Sequence, residues 1–220
     1  MNQSACQRLP VVILISGRGS NMKAIVEAAE HDGLPVEVRA VISNRADAAG
    51  LKYAREAGID TLALDAADYP DRETYDRAMM GLIDRFEPGL VVLAGYMRIL
   101  SPAFVHHYEG RLLNIHPSLL PEFRGLDTHR RALEAGVDEH GASVHFVTEE
   151  LDGGPVIARV RVPVKAGDDA DSLAARVLEQ EHRLYPQVLR WFAEGRLDWH
   201  DGQATLDGGP LQRPLDITAD

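Results

Sequence analysis

Asn114 and His116 stand two positions apart in the segment Leu112-Leu113-Asn114-Ile115-His116-Pro117-Ser118-Leu119-Leu120-Pro121. The segment reads as a short buried strand that stops abruptly. Alternate side chains of a strand share a face. Leu112, Asn114 and His116 therefore point one way, and Leu113 and Ile115 the other. Pro117 cannot donate to a sheet ladder and ends the pairing. An amide donor and an imidazole, which takes or gives a proton near neutral pH, thus share one face at the carboxyl end of a strand. Open α/β sheets bind ligands beyond such ends. Taken alone, the pair also fits a hydrogen-bonded core histidine beside a turn-forming amide, the commoner fate of polar groups near a sheet.

A second group lies near the start. Val11-Val12-Ile13-Leu14-Ile15 is a continuous apolar run, as in buried parallel strands. It enters Ser16-Gly17-Arg18-Gly19-Ser20-Asn21, followed by residues 22–29 at helical spacing. Strand, glycine turn and helix open a nucleotide-type βα unit. Gly17 and Gly19 fit the first two glycines of the dinucleotide fingerprint, but Met22 occupies the place of the third. The turn resembles a mononucleotide or phosphate cradle instead. Gly19 lets the backbone come close, and Ser20 and Asn21 are expected to cap the helix. Their backbone N–H groups, aided by the helix dipole, would face the anion. An ordinary capped βα turn would carry the same residues.

Both groups need a sheet to hold them. Residues 38–43, 61–64 and 90–95 read as further strands. Between them, residues 44–57 read as loop then helix, ended by Gly58. Residues 71–86 carry Tyr75, Met79, Leu82, Ile83 and Phe86 near helical spacing, and Pro88-Gly89 breaks them. Ser101-Pro102 suits the start of a short helix. The order βαβαβαβαβ implies a parallel sheet with right-handed crossovers. A helix over 126–135 ends at Gly136. Residues 142–147 and 155–162 then form a half-buried hairpin, with Val156, Ala158, Val160 and Val162 on one face and Arg159 and Arg161 on the other. Its turn, Thr148-Glu149-Glu150-Leu151-Asp152-Gly153-Gly154, has three acids and two glycines and is expected to be mobile. Residues 172–191 are mostly helical, with a break or kink at Pro186. Residues 199–206 add a small hairpin, and the chain beyond Gly208, like residues 1–10, is expected to be flexible. The fold class is α/β: a single domain over 1–220 with a Rossmann-like, mostly parallel sheet flanked by helices and a C-terminal antiparallel hairpin extension.

Composition narrows the partners. Of 220 residues, 45% are hydrophobic and 26% charged, a balance that supports a globular core. The net charge of -11 repels nucleic acid, which argues against a phosphate-backbone partner. A small anion needs only a helix end and an arginine or two. No apolar run approaches a membrane span, and the first ten residues lack the pattern of a signal peptide. The single cysteine, Cys6, excludes a disulfide framework and favours a cytoplasmic location. Adjacent His106 and His107 diverge on a helix and no H-E-x-x-H pattern occurs, so no metal is expected. Those two, with His129, His140 and His145, read as surface or structural groups.

Four motifs together resemble the phosphoribosylglycinamide formyltransferase family. They are Ser16-Gly17-Arg18-Gly19-Ser20-Asn21, Leu93-Ala94-Gly95-Tyr96-Met97-Arg98-Ile99-Leu100-Ser101-Pro102, Asn114-Ile115-His116-Pro117-Ser118-Leu119-Leu120-Pro121 and Leu151-Asp152-Gly153-Gly154-Pro155-Val156-Ile157. They occur in the family's order with similar gaps, from about residue 11 to about residue 199. Members of that family transfer a formyl group from 10-formyltetrahydrofolate to glycinamide ribonucleotide in purine synthesis. The resemblance implies the formyltransferase fold, with Asn114, His116 and Asp152 as the catalytic trio. It implies Gly19, Ser20 and Asn21 as the phosphate turn and Glu181 as the ribose contact. Arg72, Met97, Arg98, Ile99, Leu100, Asn114, Thr148, Glu149, Glu150, Leu151 and Asp152 match the folate-contacting positions. Arg18, Arg124 and Leu178 depart from the usual pattern. The implied partners are these two small molecules, with no metal, nucleic acid or membrane, and the chain is a monomer or a homodimer.

The chemistry so implied suits those side chains. A neutral amine attacks the formyl carbon and negative charge develops on its oxygen, which needs preorganised donors. The Asn114 amide and a protonated His116 supply two. A proton must also pass from the amine to the departing folate nitrogen, work for an imidazole. Asp152, if folding brings it to His116, favours the imidazolium and orders a relay water. Three rivals exist. Methionyl-tRNA formyltransferase would need an added RNA-binding domain and a basic surface. Formyltetrahydrofolate hydrolase would use water as acceptor and usually carries a regulatory domain, for which no room is expected before Val11. A non-catalytic nucleotide-binding module would leave the trio unexplained.

Overall fold

The computed structural model describes residues 8–218. Residues 1–7, with Cys6, and residues 219–220 lie outside the described residues. One eight-stranded sheet carries the fold. Its strands are β1 (Leu9–Ile15), β2 (Val36–Ser43), β3 (Asp60–Ala63), β4 (Leu90–Leu93), β5 (Leu112–His116), β6 (Glu139–Phe146), β7 (Val156–Pro163) and β11 (Leu215–Ile217). They are ordered β3-β2-β1-β4-β5-β6-β7-β11. Neighbours run parallel except at β6, which is antiparallel to both β5 and β7. A second sheet holds β8 (Leu197–His200), β9 (Gln203–Leu206) and β10 (Gly209–Pro210) as an antiparallel meander.

The apolar runs explain the layers. In β1, Val11, Ile13 and Ile15 enter one core, with α1 (Ser20–His31), α2 (Ala49–Glu56) and α6 (Ala170–Ala193) packed over it. Val12 and Leu14 enter the other, under α3 (Arg72–Asp84) and α4 (Pro102–His107). A strand covered on both faces needs apolar residues at every position, which is why β1 and β4 show no alternation. The eighth strand and the remaining helix, α5 (Thr128–Ala135), flank the β6–β7 end.

Several expectations change. Leu9 and Pro10 belong to β1, not to a flexible start. The chain beyond Gly208 is paired: β10 completes the small sheet, and β11 lies parallel to β7, where Asp216 meets Arg159 and Arg161. Those arginines read only as a polar face because their partner lies some 55 residues on. Pro186 does not break α6, which runs from Ala170 to Ala193. Proline removes only one backbone bond, and its neighbour Tyr185 is fully buried, with its hydroxyl 3.1 and 3.0 Å from the carbonyls of Leu93 and Leu113. Among the described residues no helix is long and apolar enough to cross a membrane.

Candidate active site

The strand order reverses between β1 and β4, since β1 is followed in the sheet by β4 on one side and β2 on the other. Such a switch point leaves a crevice at the carboxyl ends. A cleft of about 460 Å³ occupies it, lined by residues 16–21 after β1, Asn44 and Arg45 after β2, and Ala94, Gly95 and Met97 after β4. Gly19 ends the turn at φ 70°, and an added Cβ would come within 3.1 Å of Gly50 Cα. Only glycine combines this left-handed conformation with so close an approach. Contrary to expectation, Gly19 itself is the N-cap of α1, with no side-chain cap from Ser20 or Asn21. The first N–H groups of the helix are thereby left for a ligand. Asn21 points inward and donates from Nδ2 to Glu181 Oε2 at 2.6 Å, while its Oδ1 has no partner. Burial raises the Glu181 pKa, against the pull of the Asn21 hydrogen bond. Glu181 lies behind the cradle and does not line the cleft.

The second cleft is a narrow slot of about 90 Å³ between the chain leaving β4 and the β6–β7 turn. Tyr96, Arg98, Ile99, Leu100, Asn114, Thr148, Glu149, Glu150, Leu151 and Asp152 line it. Met97 alternates to the other cleft. Arg72 reaches neither: it is half-exposed at the start of α3, 3.5 Å from Glu73. Leu178 is half-buried on α6 and lines neither cleft. The turn over 148–154 makes three polar contacts with neighbouring segments. Glu149 meets His106, Glu150 meets Arg124, and Asp152 Oδ2 accepts from the Gly125 N–H at 2.9 Å.

Asn114, His116 and Asp152 converge where this slot meets the end of β5. His116 Nδ1 lies 3.5 Å from Asp152 Oδ2, and both side chains are 8% exposed. On the far side of the ring, Nε2 donates to Phe123 O at 3.0 Å. Both ring nitrogens thus face oxygen atoms, Nε2 within hydrogen-bond distance of a carbonyl and Nδ1 within ion-pair distance of a carboxylate. The loop that supplies Phe123 O is fixed to β6 by the Ser143 hydroxyl, which donates to Ser118 O at 2.7 Å and accepts from the Leu120 N–H at 3.0 Å. Asp152 holds φ 48°, a left-handed conformation that aspartate tolerates better than most residues.

His145 is the residue that sequence reasoning missed. It is 2% exposed and is the direct cross-strand partner of Asn114. Its Nδ1–H donates to Phe146 O at 2.8 Å, so its Nε2 accepts from Asn114 Nδ2 at 3.1 Å. Burial pushes its pKa down to about 4, so the ring stays neutral and keeps that acceptor. Asn114 is thereby oriented with its second amide hydrogen free for a ligand oxygen. His145 Nε2 also lies 3.8 Å from Asp152 Oδ1. The sequence carries only the alternation of Ser143 and His145; their places opposite His116 and Asn114 come from the register of β5 against β6.

A sequence model of the formyl transferase family matches residues 9–189. The phosphoribosylglycinamide formyltransferase of Escherichia coli (strain K12) is 60% identical over 201 residues, 91% of this chain and 95% of that protein. The chain belongs to the phosphoribosylglycinamide formyltransferase family. The Haemophilus influenzae protein of that name is 43% identical over 92% of this chain and 96% of its own length. The solved structure of the Coxiella burnetii phosphoribosylglycinamide formyltransferase in complex with CHES matches this formyltransferase with a TM-score of 0.90 at 50% identity, covering 94% of this chain and 99% of that one. The mostly parallel sheet with its antiparallel C-terminal extension is thus the fold of that family. Among the described residues of this formyltransferase, no group of three or more His, Cys, Asp or Glu side chains is placed to hold a metal ion.

Proposed function

We propose that this formyltransferase moves the formyl group of 10-formyltetrahydrofolate onto the amino group of glycinamide ribonucleotide. The observation that carries the reading is the position of Asn114, His116 and Asp152, gathered from a strand end and a distant turn beside a phosphate-type cradle. The ribonucleotide phosphate takes the free N–H groups at the start of α1 over Gly19, Ser20 and Asn21. Glu181 accepts from the ribose hydroxyls in exchange for the Asn21 amide. The folate enters the slot lined by Arg98, Ile99, Leu100 and residues 148–152. At about 90 Å³ the slot is far below the ~300 Å³ lower end of small-molecule sites, so its walls have to part on binding.

The amine nitrogen attacks the formyl carbon, a new C–N bond forms, and the carbonyl oxygen becomes anionic. Asn114 donates its second amide hydrogen to that oxygen, and the His116 imidazolium adds a second donor. As the intermediate collapses, the bond from the formyl carbon to the folate nitrogen breaks. The proton lost by the amine is delivered to that nitrogen through His116 and an Asp152-ordered water. His116 reaches substrate only when one of its two present acceptors yields. Phe123 O, on a residue at φ 52°, is one of those two acceptors, and the Asp152 carboxylate on the β6–β7 turn is the other.

The test is a turnover assay with 10-formyltetrahydrofolate, followed by folate absorbance with and without glycinamide ribonucleotide. Deformylation that requires the ribonucleotide is expected. Release of formate to water at the same rate without it would make the protein a hydrolase and overturn the reading.

A further inference from the structure

The two clefts share one thin wall. Along the chain leaving β4, Ala94, Gly95 and Met97 face the cradle cleft, while Tyr96, Arg98, Ile99 and Leu100 face the slot. The wall is poorly packed at its crest: Met97 is 68% and Ile99 58% exposed. The backbone bond from Ala94 to Leu14 and the Tyr96–Tyr75 hydroxyl pair hold its base, and a buried hydroxyl fastens it at Met97. Ser16, 8% exposed at the end of β1, accepts from the Met97 N–H at 2.7 Å and donates to Asn44 Oδ1 at 2.6 Å. Its own N–H donates to Gly95 O at 3.2 Å. Ser16 and Asn44 both line the cradle cleft, and Ser16 does not touch the slot.

We propose that the Ser16 hydroxyl is a positioning group that couples the two substrate sites, so that filling the cradle cleft sets the wall of the folate slot. The proposal rests on the functional reading above. A ribonucleotide held against Ser16, Asn44 and Met97 fixes the donor and acceptor of this relay. The backbone at Met97 is then ordered, and with it the exposed Ile99 on the slot side, while Tyr96 and Arg98 are already held against Tyr75 of α3. The ordering cost of the wall falls on the first ligand, and the second binds a wall already set. By linkage the effect is reciprocal: each ligand tightens the other by the same factor. The hydroxyl suits this task because it has both a donor and an acceptor to spend. Alanine at this position leaves the Met97 N–H and the Asn44 carbonyl without their partner.

Calorimetric titration tests it, using glycinamide ribonucleotide and unformylated tetrahydrofolate, a pair that cannot react. Each ligand is titrated alone and with the other saturating, against the wild-type chain, Ser16→Ala and Ser16→Thr. The wild type is expected to bind each ligand ~5-fold or more tightly in the presence of the other. Ser16→Ala is expected to bring that ratio near unity, and Ser16→Thr, which keeps the hydroxyl, to restore it. A merely structural role would weaken one or both ligands and leave the ratio intact, and that result overturns the proposal. So does a wild-type ratio of one. Hydrogen exchange at the Met97 amide of the wild type covers the case in which Ser16→Ala does not fold. Protection there is expected to rise ~10-fold with ribonucleotide alone, and no change overturns the coupling. If neither ligand binds the wild type, the functional reading fails and the coupling with it.

Discussion

The chemistry of the site is decided by who satisfies whom around two imidazoles of opposite character. His145 is neutral because burial removes it from water, and it serves as an acceptor for Asn114. His116 faces acceptors on both sides and serves as a donor. Replacing His145 by Phe keeps a planar ring but leaves the Asn114 amide unanchored. Steady-state kinetics of His145→Phe are expected to show kcat lowered on the order of tenfold, with KM for the ribonucleotide little changed. An unaltered kcat would remove His145 from the orienting role. Asp152→Asn keeps the shape and tolerates the left-handed backbone, but it loses the charge beside His116. Its kcat is expected to fall ~100-fold or more, with Tm within ~2 °C of wild type. Wild-type turnover in this variant would contradict the proton-relay role.

At the scale of elements, α6 does two jobs through residues four apart, Glu181 behind the cradle and Tyr185 bridging β4 and β5. The helix starts with a capping box: Asp169 accepts from the Ser172 N–H, and the Ser172 hydroxyl accepts from the Asp169 N–H. The Ser172 N–H donating to the Asp169 carboxylate holds that carboxyl below its usual pKa. Asp169→Ala is expected to lower Tm by ~3 °C in a thermal melt, as loss of a cap does. Ser172→Ala is expected to lower it less, since Asp169 keeps its bond to the backbone. The order βαβαβαβαβ was legible because local patterning sets it, and so was the alternation of Ala158, Val160 and Val162 in β7, whereas at the start of that strand a register shift buries Ile157 and leaves Val156 half-buried. The uninterrupted course of α6 through Pro186 was not legible, because it depends on packing against strands whose contacting residues lie 92 and 72 positions away.

For the whole molecule, pH is the informative variable. Burial lowers the pKa of His129, and it lowers those of His140 and His145 to about 4, with His129 adding to the shift at His140. The His140 and His145 rings are neutral in the fold down to about pH 4 but charge below about pH 6.5 once unfolded, and the His129 shift acts in the same direction. The unfolded chain therefore binds more protons between about pH 6.5 and pH 4, and stability falls as pH drops through that window. Above it these groups add nothing further. Tm at pH 5 is expected to lie on the order of 5 °C below that at pH 7.5. His140→Phe, which removes one of the rings beside Phe123 and His129, is expected to flatten that slope. A slope identical to wild type would show that His140 titrates alike folded and unfolded.

By itself the sequence determined the strands as far as β9, the helices apart from the unbroken course of α6, the glycine turn and the short list of side chains able to do chemistry. These follow from local sterics and from apolar periods that the chain carries without reference to its partners. Tertiary structure alone decided that His145 stands opposite Asn114, that Arg72 stays outside the slot, and that Asn21 turns to Glu181. Such pairings depend on strand register and on which helix closes over which strand. A one-residue slip would turn His145 to the other face while leaving every local pattern unchanged.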